Sequence, residues 1–109
     1  MDKNVSELVD QLCDAIISSS VYQEYKYQQE KVQNQPEVMD MINEIRNLNM
    51  RLQSLQNSDE AYEEQEKLER RFDELSEDQR VFDFLEAENR FIGLYRETNR
   101  RIMEHIQLI

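Results

Sequence analysis

The stretch VMDMINEIRNLNMRLQSL, residues 38–55, decides the fold of this chain. Its apolar residues are separated alternately by three and four positions: Val38, Met41, Ile45, Leu48, Leu52 and Leu55. This spacing places all of these side chains on one stripe of an α-helix, and it is the a/d pattern by which helices pair in a coiled coil. The stretch therefore predicts a helix whose apolar seam packs against another helix.

Similar but less regular stripes predict four more helices. The first covers residues 5–17, the second residues 21–33, and the fourth follows an interruption at residues 57–60. Several stripes are preceded by a capping residue with Glu or Gln three positions later, which is a signature of helix starts. These caps are Asn4, Ser20, Asn34 and Ser76. Pro36 fits the first turn of the third helix, where its missing N–H costs little.

The last predicted helix spans residues 77–107 and is the longest. At 1.5 Å per residue it would extend for roughly 46 Å, whereas a compact domain of this size has a radius of gyration of roughly 13 Å. We therefore predict one all-α domain, residues 1–109, with about five helices forming a bundle in an intertwined or side-by-side dimer. A bend near Gly93 would instead permit a monomeric bundle. The expected seam on this helix comprises Val81, Leu85, Phe91, Ile92, Tyr95, Ile102 and Ile106.

The composition restricts the kind of partner this chain can bind. With 24 acidic residues against 13 Lys and Arg, the 109-residue chain carries a net charge of −11. Nucleic-acid binding requires clustered cations, so this balance argues against direct contact with DNA or RNA.

Apolar runs are too short to cross a bilayer, and the N-terminus lacks the apolar core of a signal peptide. We expect a cytoplasmic protein that does not insert into membranes.

Few residues could carry catalysis or bind a cofactor. Cys13 lies on the first apolar stripe, where we expect a buried structural thiol, since free cysteine packs as a small hydrophobe. His105 lacks the Glu-x-x-His pattern of helical di-metal sites, because residue 102 is Ile. We expect it to interact with the dipole at the helix end or to be solvated. The sequence predicts no metal, no cofactor and no enzymatic activity.

Charge and aromatic residues cluster in two places. Residues 59–78 contain ten acidic and three basic residues, which indicates either a solvated helix face with Glu–Arg pairs or a docking surface for a basic partner. The candidate docking residues are Glu63, Glu64, Glu66, Asp73 and Glu74. Tyr22, Tyr25 and Tyr27 lie on the second helix; Tyr22 and Tyr25 share a face, and we expect them to pack against longer helices.

Two segments resemble the YlbF/YmcA/YheA family of small helical bacterial proteins. Residues 20–53, SVYQEYKYQQEKVQNQPEVMDMINEIRNLNMRLQ, are similar to the N-terminal half of the family in the QPE helix break and in the IR and RLQ motifs. Residues 84–106, FLEAENRFIGLYRETNRRIMEHI, resemble the family's last helix in the EAE motif and in the regular spacing of the Leu and Ile residues. The resemblance covers residues 5–106.

The resemblance implies a cytoplasmic helical dimer that regulates competence, sporulation and biofilm formation. It also implies assembly with sibling family proteins and modulation of an mRNA-processing endoribonuclease. Some members carry cysteine-bearing tails and iron–sulfur clusters. This chain ends at Ile109 without such a tail and has only Cys13, so we expect no cluster and a closer likeness to the YheA branch. A chaperone-like coiled-coil protein that holds clients, similar to prefoldin, is the alternative function.

Overall fold

A computed structural model describes residues 1–55 and 62–107 of the chain. In those ranges the structure is helical, and it confirms the predicted all-α fold with a long C-terminal helix. The elements are α1 (Lys3–Ile17), α2 (Ser20–Gln33), α3 (Pro36–Leu55), α4 (Tyr62–Ser76) and α5 (Gln79–His105). The predicted interruption at residues 57–60 lies outside the described residues.

Three helices begin at caps other than the predicted ones. The carboxylate of Asp2 accepts the Val5 N–H at 3.1 Å, so the cap of α1 lies two residues before the proposed Asn4. The Ser19 hydroxyl, not that of Ser20, accepts the Tyr22 N–H at 3.2 Å. Asp78 caps α5, where its Oδ1 accepts the Arg80 N–H at 2.9 Å. In each case another side chain that can accept a hydrogen bond stood within two positions, and the periodicity did not distinguish between them.

Two of the predicted start signals close a helix instead. The Asn34 side-chain amide donates to the Glu30 carbonyl at the end of α2, and the Ser76 hydroxyl donates to the Phe72 carbonyl at the end of α4. Such side chains can serve the orphan carbonyls of a C-terminus as well as the orphan amides of an N-terminus. Pro36 is the first residue of α3, as predicted.

The helices fall into two compact units. The first, here called the hairpin unit, is residues 30–85 and contains the end of α2, all of α3 and α4, and the first turns of α5. Within it α3 packs against α4. The side chains of its core are almost completely shielded from solvent: Val32, Val38, Ile42, Ile45, Leu48, Leu75, Val81 and Phe84.

The second unit, here called the terminal unit, contains residues 1–29 and the chain from residue 86 onward. Tyr25 stacks on Phe91 with ring centroids 5.2 Å apart, and Tyr22 meets the same ring edge-on at 5.4 Å. These contacts hold the start of α2 on α5 and confirm that Tyr22 and Tyr25 share a packing face. Gln28 and Ala87 are also buried, whereas α1 contributes no buried residue.

Candidate interaction surfaces

The apolar stripe of α1 is exposed at most of its positions, and only Ile16 is partly covered. Val5, Val9 and Leu12 are 47%, 41% and 38% accessible to solvent, and Leu8 and Ile17 are exposed to a similar degree. Scattered apolar residues on a surface are ordinary, but a contiguous stripe of them marks an interaction site. In an amphipathic helix the apolar face usually packs against a core. On α1 this face is exposed to solvent.

A second exposed stripe runs along the C-terminal part of α5. Tyr95, Ile102, Met103 and Ile106 are each between 45% and 59% accessible. The exposed Asn99 continues the line between Tyr95 and Ile102, so the stripe advances in steps of four, three and four residues. It belongs to the same terminal unit as α1. The seam predicted on this helix is therefore buried at Val81, near its beginning, and exposed at Tyr95, Ile102 and Ile106.

The hairpin unit carries a ladder of ion pairs at heptad spacing. Arg51 pairs with Glu64, and Arg71 pairs with Glu44 through two bonds of 2.7 and 3.1 Å. The partner on α3 moves seven residues toward the N-terminus, from position 51 to 44, while the partner on α4 moves seven toward the C-terminus, from 64 to 71. The two helices are therefore antiparallel. Such charges flank the apolar seam as the e and g positions of a coiled coil do.

The ladder continues at the start of α5. Arg80 donates to Glu37 at 3.1 Å and to the Gln35 side chain at 2.9 Å, and Glu37 precedes Glu44 by another seven residues. The Arg46 guanidinium lies over the Phe84 ring at 5.9 Å. These contacts fix the first turns of α5 beside α3 within the hairpin unit.

The ladder and the α5 cap shift the pKa values of their carboxyl groups. The hydrogen bonds from Arg71 lower the pKa of Glu44. The hydrogen bond from the Arg80 guanidinium, helped by the Arg80 and Val81 N–H groups, lowers the pKa of Asp78 to about 2. In both cases donors stabilise the ionised form more than the neutral one.

The candidate docking face on α4 divides into paired and unpaired carboxylates. Glu64 pairs with Arg51, Glu66 with Arg70 at 3.6 Å, and Glu74 with Arg71 at 3.2 Å. Glu63 and Asp73 have no ion pair among the described residues, and Asp73 lines a groove with Asn49, Leu52 and Phe72. The interpretation as solvated ion pairs therefore holds for Glu64, Glu66 and Glu74. The docking interpretation stays a prediction for Glu63 and Asp73.

The proposed seam residues have different environments. Val38, Ile45, Leu48 and Val81 are buried. Six are partly exposed: Met41, Leu52, Leu55, Leu85, Phe91 and Ile92. Tyr95, Ile102 and Ile106 are exposed.

The strict a/d reading missed Ile42, which is fully buried. Ile42 lies beside the seam, and Phe84 on α5 is buried as well. A helix contacted from two sides buries a wider face than a two-helix seam. The run Met41–Ile42 in the sequence offered the only signal of this widening.

The single cysteine and the single histidine are both exposed. The expectation of a buried thiol at Cys13 was wrong: the thiol is exposed, on a helix that has no buried residue. His105 is the last residue of α5, in the position expected for interaction with the helix dipole. Among the described residues no group of His, Cys, Asp and Glu is arranged to hold a metal ion.

Comparison with protein families assigns nearly the whole chain to one family. The family described as control of competence regulator ComK, YlbF/YmcA, matches residues 5–107. The chain belongs to the YlbF/YmcA family. The match includes both exposed stripes, helices α2 to α5 and α1 from its third residue onward. The family description gives this YlbF/YmcA protein a regulatory role.

Neither the curated proteins nor the solved structures returned a match. Among the described helices, none has a long enough run of apolar residues to cross a lipid bilayer.

Proposed function

We propose that this YlbF/YmcA chain is a non-catalytic cytoplasmic regulator that acts by binding other proteins. The observation that carries the proposal is the pair of exposed apolar stripes on α1 and α5, which together present at least eight large apolar side chains to solvent. A surface of this kind gains free energy when a protein partner removes it from water. Regulation by association requires such a surface and no catalytic constellation.

The proposed regulatory target is an mRNA-processing endoribonuclease, and the proposed assembly is a homodimer or a hetero-oligomer with sibling family proteins. The family membership supports competence control as the coarse role, while the ribonuclease, sporulation and biofilm connections rest on the resemblance of the sequence. The net charge of −11 supports contact with protein components rather than directly with the transcript.

The α4 carboxylates that lack ion pairs are the proposed docking point for a basic partner. Glu63 and Asp73 are exposed and leave their charge available, whereas Glu64, Glu66 and Glu74 are already paired with arginines. Opposite charges at the rim of an interface mainly accelerate association and make it sensitive to salt.

The test is genetic complementation in the cell that encodes the chain. Deleting its gene should change both transformation frequency and the endonucleolytic cleavage pattern of messenger RNA, and the wild-type chain should restore both. Asp73→Lys should restore them less well than Asp40→Lys, a matched control on the exposed side of α3. Changed transformation with unchanged cleavage would overturn the ribonuclease connection, and no change in either would overturn the regulatory proposal.

The burial of α3 bears on the chaperone-like alternative. That alternative requires Val38, Ile45 and Leu52 to line an open groove for clients. Val38 and Ile45 are 0% and 1% accessible, whereas Leu52 is partly exposed and lines the groove that contains Asp73. The hairpin unit therefore offers no client groove at Val38 and Ile45. The regulatory proposal is favoured for this reason.

A further inference from the structure

We propose that α1 of one copy packs along the C-terminal part of α5 in a second copy, and that the reciprocal contact completes a two-fold dimer. This pairing deepens the assembly proposed above and rests on it, because it selects a second copy of the chain as the occupant of both stripes. In this pairing the surfaces that meet are the apolar stripe of α1 and the apolar stripe at the C-terminal end of α5.

The first argument is the geometric match between the stripes. Val5, Val9, Leu12 and Ile16 advance along α1 in steps of four, three and four residues. On α5, Tyr95, Asn99, Ile102 and Ile106 advance by the same steps. Each stripe therefore spans 11 residue steps, or roughly 16 Å at 1.5 Å per residue. Two helices with the same 3.5-residue repeat and the same length can pack side chains along their whole contact.

The second argument is charge. Helix α1 carries Glu7, Asp10 and Asp14 against a single Lys3. The α5 segment from residue 95 to residue 107 is a net basic part of a strongly acidic chain, with three arginines against two glutamates. Opposite net charges favour encounter of α1 with α5 and disfavour encounter of α1 with another α1.

Pairing of the arginines within α5 leaves positive charge available there. Arg100 bonds to Glu97 and Glu104 on its own helix, which occupies both glutamates of the segment. Arg96 and Arg101 have no ion pair within 4.0 Å among the described residues. The acidity of α1 also argues against an anionic membrane surface as the occupant, since such surfaces attract basic amphipathic helices.

The third argument is that the same chain carries both halves of the match but leaves both exposed. Leu8 on α1 is 55% accessible and Ile106 on α5 is 59% accessible, although both belong to the terminal unit. A reciprocal contact between two copies uses each stripe once per copy, so a closed two-fold dimer leaves neither stripe uncovered.

Sedimentation equilibrium of the full chain tests this pairing. The wild type should have twice the 13.3 kDa mass of one chain. Leu8→Asp and Ile102→Asp should each raise the dissociation constant about tenfold or more, because each places a carboxylate in both apolar contacts. Met50→Asp is the matched control: Met50 is 70% accessible and lies on α3 in the hairpin unit, so it belongs to neither stripe.

Mixing the two variants identifies which helices meet. A mixed dimer of a Leu8→Asp chain and an Ile102→Asp chain has one contact with both changes and one contact with neither. An equimolar mixture should therefore recover dimer that neither variant forms alone. If α1 instead met α1, Ile102→Asp alone would remain dimeric, and that result would overturn the proposal.

The wild-type chain provides a second readout that does not depend on any variant folding. Cys13 is exposed in the single chain, beside Leu12 of the stripe. Its alkylation by a maleimide should be slowed at concentrations where the dimer forms and should accelerate on dilution. A 13.3 kDa mass at all concentrations, or alkylation independent of concentration, would overturn the pairing. The cellular complementation test is read separately, so regulation by a monomer would remain distinguishable.

Discussion

The hairpin unit and the terminal unit use the same kind of apolar stripe and reach opposite outcomes. On α3, Val38 and Ile45 are almost inaccessible to solvent, whereas on α1, Val5 and Leu12 are 47% and 38% accessible. Each pair is separated by seven residues in an amphipathic helix. The difference is that α3 has α4 and the start of α5 against it, while none of the described helices packs on α1 closely enough to bury one of its residues. A stripe defines what a helix can bury, and a neighbouring helix decides whether it does.

The two units also differ in how their charges are used. In the hairpin unit, arginines connect different elements, as in the pairs Arg71–Glu44 and Arg80–Glu37. In the terminal unit, arginines of α5 pair with glutamates of the same helix: Arg90 with Glu86, and Arg100 with Glu97 and Glu104. Pairs between elements define a register, whereas pairs within one helix support only that helix.

The same substitution in both units gives the largest contrast. Leu48→Asp should destabilise the hairpin by more than about 3 kcal/mol, because it places an unpaired charge at a buried position. Leu8→Asp should change the free energy of unfolding by less than about 0.5 kcal/mol, since Leu8 is exposed in the single chain. Urea denaturation followed by circular dichroism, at concentrations where both variants are monomeric, provides the comparison. Equal losses would show that α1 is part of the folded core.

Removing the cap of α5 should have an intermediate effect in the hairpin unit. Asp78→Ala should cost about 1 kcal/mol, within the range of about 0.5–2 for lost N-caps. The reason is that the Arg80 N–H loses the carboxylate that accepts it at 2.9 Å. Asp78→Asn is the control, since an asparagine can still accept that hydrogen bond. If alanine and asparagine behaved alike, the charge pair with Arg80 rather than the cap would carry the effect.

Gly93 provides a smaller test in the terminal unit, with the opposite sign. A Cβ added at Gly93 would have no atom within 4 Å, and α5 continues through this residue as an assigned helix. Gly93→Ala should therefore stabilise the chain by about 0.5–1 kcal/mol through helix propensity. Thermal unfolding of the two proteins at low concentration measures the change. A loss of stability, or of dimer mass, would place another helix directly over Gly93.

Lowering the pH should produce the smallest and most gradual loss of stability. Asp78 and Glu44 have lower pKa values in the folded chain than their ordinary values, because arginines donate to them. Their stabilising contribution is therefore fully present above the ordinary values and is lost as the pH falls, for Asp78 between about 4 and its folded value of about 2. Urea midpoints from pH 6 to pH 2 should fall less steeply for Arg71→Met than for the wild type. Identical slopes would show that the Arg71 pairs do not contribute.

Much of the fold followed from the sequence alone. The number of helices, the long last helix and the position of Pro36 at the start of α3 were all predicted, because periodicity and backbone chemistry are local properties. The caps at Asp2, Ser19 and Asp78 were each assigned to a neighbour within one or two residues, since several adjacent residues could serve. The interaction surfaces were only partly predicted, because the stripes were visible but their exposure was not.

The sequence by itself determined that this chain forms amphipathic helices and that it belongs with the regulators of the YlbF/YmcA family. Only the tertiary structure decided which stripes are covered. It buried Ile42, which the a/d pattern had set aside, and left Cys13 in solvent, although its stripe predicted burial. The physical reason is that apolar periodicity records a preference for leaving water, whereas burial requires a second surface in the right place, and its position depends on contacts distant in the chain.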